Sequence, residues 1–174
     1  MNLTKNSSLK NISILHTVTG FVLSLLLVFR TNTAYDRWWE GRKMWGKLVN
    51  DSRNLAVKLN AILPEEDKSS RTYFANKIKI FAKILHTHLT SESTKYMLDE
   101  DEHPEFDEYL KQQHPPTFVV SRMYKNLYKI AEEHQMNPED KLIIDASLNG
   151  FLDVAGACER IKNTPIPYGY ASFI

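Results

Sequence analysis

His86 and His88 are the residues whose type most readily suggests chemistry, since an imidazole can hold a metal ion or move a proton. On a helix, however, positions i and i+2 point to different faces, so His86-Thr87-His88 would not share one ligand. No carboxylate or thiolate lies beside them at ligand spacing, and no zinc site is expected there. The acidic run Asp99-Glu100-Asp101-Glu102 lacks the alternating oxygen ligands and the glycine of a calcium loop, so it reads as a solvated loop. Asp36-Arg37 and Glu159-Arg160 read as structural ion pairs that join helices, not as acid–base catalysts. No Ser-His-Asp, Cys-His or phosphate-loop arrangement is present. The expectation is therefore no catalytic residue, no metal, no cofactor and no enzyme.

What remains is the physical chemistry of a boundary. Residues 12–29 contain no Asp, Glu, Lys or Arg, and they run straight into Arg30-Thr31-Asn32-Thr33-Ala34-Tyr35-Asp36-Arg37-Trp38-Trp39-Glu40-Gly41-Arg42. As a helix, these 18 residues rise about 27 Å, just under the ~30 Å hydrocarbon core of a bilayer. The run also carries Ser13, His16, Thr17, Thr19, Gly20 and Ser24, which suggests a helix packed on other helices or lining water. A cleaved signal peptide fits poorly, because Arg30-Thr31-Asn32 stands where a small-x-small cleavage site would belong.

Bulk properties narrow the classes. The 174 residues suffice for one ordinary domain with a real core. A formal charge of +1 provides no basic field for nucleic acid. Cys158 is the single cysteine, which excludes an internal disulfide and a multi-thiolate metal centre. A mean hydropathy of −0.39 confines any membrane part to short segments. The C-terminal stretch 164–174 turns apolar and stops, as a second membrane helix would if cut short.

The elements that must position these residues are helices, and the fold class is all-α. Over 34–63, Trp38, Gly41, Trp45, Leu48, Ser52, Leu55, Leu59 and Ile62 form one stripe, with Glu40, Lys43, Lys47, Asn54 and Lys58 opposite and Pro64 as the stop. Gly41, Gly46 and Ser52 are expected to admit neighbouring helices closely. A second helix is predicted over 69–89, with Phe74, Ile78, Phe81, Leu85 and Leu89 inward and Lys77 and Lys83 facing away. A short helix is expected over 105–111 and a longer one over 117–133. The last starts with Asn137 as cap and Pro138 at the first helical position, and runs to about Lys162, burying Leu148, Phe151, Leu152, Ala155 and Cys158.

Arg30, Arg37, Arg42, Lys43 and Lys47 follow the apolar run, against Lys5 and Lys10 before it. The positive-inside rule then places the C-terminal side in the cytosol. The expected organisation is an N-terminal segment (1–11), a transmembrane helix (12–30), a cytosolic helical domain (31–163) and the start of a further membrane helix (164–174).

The block from Phe29 through Asp36-Arg37-Trp38-Trp39 to Gly46 resembles the segment after the pore helix of prokaryotic bestrophin-like proteins. Cys158-Glu159-Arg160-Ile161-Lys162-Asn163-Thr164-Pro165-Ile166-Pro167 is similar to the family segment leading into the next membrane helix. The resemblance covers about 18–174, the middle of the family pattern, without its first and later membrane helices. It implies a bacterial inner-membrane protein, a homopentameric ion channel when complete, in contact with lipid and with permeating small ions. Anion passage is the family's chief property, and cation passage occurs among bacterial members. It also implies a neck of three apolar residues at i, i+4 and i+8, which fall on Phe21, Leu25 and Phe29, with Arg30 and Asn32 at the cytosolic mouth. Family necks usually carry Ile or Phe, so Leu25 departs mildly, and Phe21 and Leu25 both keep the apolar character. Asp36, Arg37, Trp38, Trp39, Glu159, Arg160, Pro165 and Pro167 would be its structural motif. The spacing also makes independent sense: residues four apart stack on one helix face, and a ring of such helices would stack three apolar collars that gate by dewetting. A soluble helical interaction module, or a helical hydrolase using His86 or His88, are the readings that compete.

Overall fold

The computed structural model describes residues 3–90 and 106–164. The acidic run 99–102, Pro165, Pro167 and the C-terminal apolar stretch lie outside the described residues. Five helices follow in order: α1 (Leu3–Ile62), α2 (Lys68–Leu89), α3 (Phe106–Leu110), α4 (Pro115–Glu133) and α5 (Pro138–Asn163). No strand occurs among the described residues, as the all-α expectation requires. The chain divides into two units, Met1–Glu40 with Thr164–Ile174, and Gly41–Asn163.

The apolar run and the stripe that follows it are one helix. No proline or glycine pair interrupts 30–40, and the threonines there complete the helix instead of breaking it. Thr31 and Thr33 donate their hydroxyls to the carbonyls of Leu27 and Phe29 at 2.9 and 3.0 Å. α1 ends where Pro64 disfavours helical backbone in the residue before it. Arg71 then caps that end: its guanidinium donates to the carbonyls of Leu63 (2.7 Å), Pro64 (2.6 Å) and Asp67 (3.0 Å).

In the unit Gly41–Asn163 the core is a packed apolar cluster drawn from α1, α2, α4 and α5. Leu48, Leu55 and Leu59 of α1 are buried, as the stripe predicts. Phe81 of α2 and Phe151 of α5, both fully buried, meet edge to face with ring centroids 5.0 Å apart. Lys77 departs from its expected outward position and is buried. Its ammonium donates to the Tyr109 hydroxyl at 2.7 Å and lies 5.1 Å from the ring centroids of both Tyr73 and Tyr109. Two aromatic faces and a hydroxyl thus replace the water a charge would otherwise lose.

Close helix approach also occurs elsewhere than expected. A methyl on Gly41 or Gly46 would meet no atom of the described residues within 4 Å, whereas one on Gly150 of α5 would run into the Asp51 carboxylate of α1. To make room Asp51 would have to turn away from Lys47, whose Nζ donates to its carboxylate at 2.9 Å and reaches the Gly150 carbonyl at 3.3 Å. Lys58 makes a second tie from α1 to α5, to the Ile143 carbonyl (2.9 Å) and Ser147 Oγ (2.8 Å). Gly150→Ala is expected to destabilise this unit by about 1–3 kcal/mol in chemical denaturation, the usual cost of overpacking. A variant as stable as the parent would disprove the approach.

Asp67 caps α2, accepting from the Ser70 backbone N–H at 3.0 Å, and its other oxygen meets His134 Nε2 at 2.9 Å. The Ser70 hydrogen bonds first, then His134, hold its pKa down to about 2 from 3.8. A depressed carboxyl stabilises the fold above its unfolded pKa and ceases to do so as pH falls through the folded one. Parent and Asp67→Ala are therefore expected to differ by about 1 kcal/mol near neutral pH and to converge between pH 4 and 2, read by thermal melts at each pH. A gap that persisted at pH 2 would show that the carboxylate charge is not what matters.

At the other end of α4, Gln135 takes a positive φ of 47°. Gln135 N–H donates to the Glu132 carbonyl and Met136 N–H to the Ala131 carbonyl, the pair of bonds of a Schellman turn. That turn delivers the chain to Asn137 and the start of α5. Tyr124 of α4 then bonds Asp145 of α5 at 2.8 Å, and burial followed by that carboxylate pushes the phenol pKa well above its ordinary value.

Candidate functional site

The apolar side chains of α1 are exposed along most of the stretch 12–29. Phe21, Leu25 and Phe29 are 68%, 45% and 49% exposed, and so are residues on other faces, such as Leu23 (54%) and Leu27 (57%). A window of 18 residues here reaches a mean hydropathy of 2.2, and this is the one helix among the described residues that is long and apolar enough to cross a membrane. Two of its hydroxyls need no partner helix. Thr17 donates to the Ser13 carbonyl (2.9 Å) and Ser24 to the Gly20 carbonyl (2.8 Å), so these side chains can sit in an apolar medium satisfied from within.

Because α1 stays helical through this region, its register carries across the junction. At 100° per residue, Phe21, Leu25 and Phe29 spread over about 80° of the helix surface, in steps of about 6 Å along the axis. Asn32 lies about 20° from the mean direction of those three, and Asp36 falls about as close on the other side. Arg30 lies about 140° away. Asn32 and Asp36 therefore continue the line of the three apolar residues, while Arg30 points to the flank. The 3.6-residue period separates Arg30 from Asn32 in this way because the helix does not break between Phe29 and Asn32.

In the aromatic block, Tyr35, Trp38 and Trp39 remain exposed and lean on one another, with ring centroids 5.7 Å apart for Tyr35–Trp38 and 6.0 Å for Trp38–Trp39. Arg37 donates to the Thr164 backbone carbonyl, which ties α1 to the segment after α5 within one unit. Asp36 is exposed and has no ion-pair partner among the described residues.

Glu159 does join helices, but through histidines that are distant in sequence. His88 Nε2 lies 2.8 Å from Glu159 Oε1 although the two residues are 71 positions apart. His114 Nε2 lies 2.8 Å from the same oxygen. His86 is exposed and takes no part in these contacts. The partners that matter come from other helices.

The model of the family described as Bacterial/Fungal Bestrophin protein matches residues 3–174. The chain is 35% identical over 158 residues to the voltage-dependent anion channel-forming protein alr2987 of Nostoc sp., covering 88% of this chain and 52% of that protein. It is 35% identical over 164 residues to the voltage-dependent anion channel-forming protein sll1024 of Synechocystis sp., covering 88% of this chain and 52% of that one. The chain thus spans about half the length of the curated relatives it matches, and these are named for channel formation, not for an enzymatic reaction. Among solved structures, a bacterial bestrophin homolog from Klebsiella pneumoniae with a mutation I180T aligns with TM-score 0.75 at 24% identity, covering 90% of this chain and 59% of that one. That likeness extends the family match to the fold.

Proposed function

The chain belongs to the bacterial and fungal bestrophin family, and on that premise we propose that it supplies one subunit of a pentameric ion channel. Residues 12–30 form the membrane-spanning part, and 31–163 lie on the cytosolic side, the side favoured by Arg30, Arg37, Arg42, Lys43 and Lys47. Ions pass without coupled chemistry through a neck of Phe21, Leu25 and Phe29, and Asn32 offers the first polar side chain on the same line. The observation that carries this reading is the helix whose apolar side chains from Ile12 to Phe29, half-buried Leu26 apart, are exposed among the described residues. Such a surface in a single chain calls for lipid on one side and for copies of itself on another.

Five helices around an axis would bring three apolar collars into register, and a narrow apolar collar excludes water when closed. Phe rings turned edge-on present the positive part of their quadrupole, which favours a passing anion over a cation. Anion passage also agrees with the names of the relatives alr2987 and sll1024. The exposed Tyr35, Trp38 and Trp39 suit the headgroup level, where amphipathic rings gather. Mass measurement of the detergent-solubilised full-length protein is expected to give five chains per particle. A monomer soluble without detergent would favour an interaction module and contradict the channel.

A further inference from the structure

Three side chains that a pore has no use for converge in the unit Gly41–Asn163. His88 stands in the last turn of α2, His114 caps α4, and Glu159 lies on α5. Both Nε2 atoms are 2.8 Å from Glu159 Oε1, the two rings are 5.2 Å apart at their centroids, and all three ligand atoms lie within 4.8 Å of one another. We propose that His88, His114 and Glu159 form a site for a divalent transition metal of the zinc class, clamping α2, α4 and α5 together. The inference is independent of the channel reading.

Donor chemistry selects the ion. Two imidazole nitrogens and one carboxylate oxygen suit Zn²⁺ or Co²⁺, whereas Ca²⁺ and Mg²⁺ require a shell of oxygens. Binding requires the two nitrogens, now within 4.8 Å of each other, to reach the ligand spacing of the ion. A tetrahedral ion with ligands at ~2.0–2.1 Å sets those ligands about 3.3 Å apart, so the two 2.8 Å contacts must open by about half an ångström. Glu159 and both histidines are only partly buried, which leaves room for that movement and for a water in the fourth position.

The surroundings of His114 are also those of a metal ligand. Its Nδ1 lies 2.7 Å from Thr117 Oγ1 and 3.4 Å from the Thr117 backbone nitrogen. With a metal on Nε2, Nδ1 carries the proton and donates to Thr117 Oγ1, the outer partner that fixes tautomer and ring direction, and it gives up the cap bond it accepts from the Thr117 backbone N–H. Without one, the hydroxyl rotates and donates to Nδ1. Lys162 is committed to the His88 backbone carbonyl at 2.8 Å, and an ammonium offers no lone pair to compete for the ion.

The test uses the untagged full chain, stripped with a chelator, loaded with Zn²⁺ or Co²⁺ and desalted. Elemental analysis is expected to give one metal per chain, and the Co²⁺ form to show the visible absorption of a four-coordinate nitrogen–oxygen site. His88→Ala, Glu159→Gln and His114→Asn should each weaken Zn²⁺ binding by more than ~100-fold, and Thr117→Val by roughly 10- to 100-fold, the cost of losing an outer partner. Asn at 114 keeps a side-chain cap on α4, and unchanged helical circular dichroism verifies that each variant folds. A parent chain that retains no metal, or folded variants that retain as much as the parent, would overturn the site.

Discussion

Replacing Phe21, Leu25 and Phe29 by alanine, singly and together, is expected to raise ion flux severalfold and to weaken its gating. The reason is volume and wetting. In the proposed fivefold ring each alanine would remove most of an apolar collar, and each substitution would be made five times at one level. The triple variant removes about 12 Å of apolar neck along the helix axis, two steps of about 6 Å. Single variants should not act equally. In the proposed neck Phe29 is the collar nearest the polar Asn32, so its loss would shorten the dry segment from its polar end. Leu25 sits between two aromatic collars, so its loss leaves a constriction on either side and changes flux least. Asn32→Ala tests the register directly, because Asn32 shares the neck line while Arg30 does not. A larger change in selectivity from Arg30→Ala than from Asn32→Ala would contradict that placement.

The largest expected effect on stability lies in the other unit. Phe151→Ala removes a fully buried ring that meets Phe81 edge to face at 5.0 Å between centroids. Deleting such a ring costs about 3–5 kcal/mol, against a total stability of about 5–15 kcal/mol for a domain. Phe81→Ala should cost a similar amount. The double variant should cost less than the sum of the two, because both rings share one contact and one cavity. Urea titration followed by circular dichroism measures this, and a loss below ~1 kcal/mol in Phe151→Ala would place the ring outside the core.

Much of this arrangement was legible in the residues, for reasons that differ along the chain. The start of α5 follows from Asn137-Pro138 and the acidic pair Glu139 and Asp140, all local signals, and the helix begins where they place it. The α1 stripe predicts Leu48, Leu55 and Leu59 as buried because 3.6-residue periodicity needs no knowledge of the partner. α4 begins two residues before its expected start, since Pro115 and Pro116 read as breakers although the first turn of a helix tolerates proline. Lys77 was placed outside because a charge on a helix is usually solvated. What reverses that is Tyr109, which no local pattern connects to it. Gly150 and the His88, His114 and Glu159 cluster are tertiary in the same sense, depending on segments that meet only after folding. The continuity of α1 was hidden by composition: a sharp change from apolar to charged residues marks a change of solvent, and the backbone does not have to break there.

Current across liposomes reconstituted with the purified full-length protein is the most direct measure of the central claim. A protein-dependent current is expected, its reversal potential in a salt gradient should lie toward the anion, and the Phe21, Leu25 and Phe29 alanine variants should alter it. Ion-tight liposomes that demonstrably contain the protein would contradict the channel reading, as would currents unchanged in all three variants.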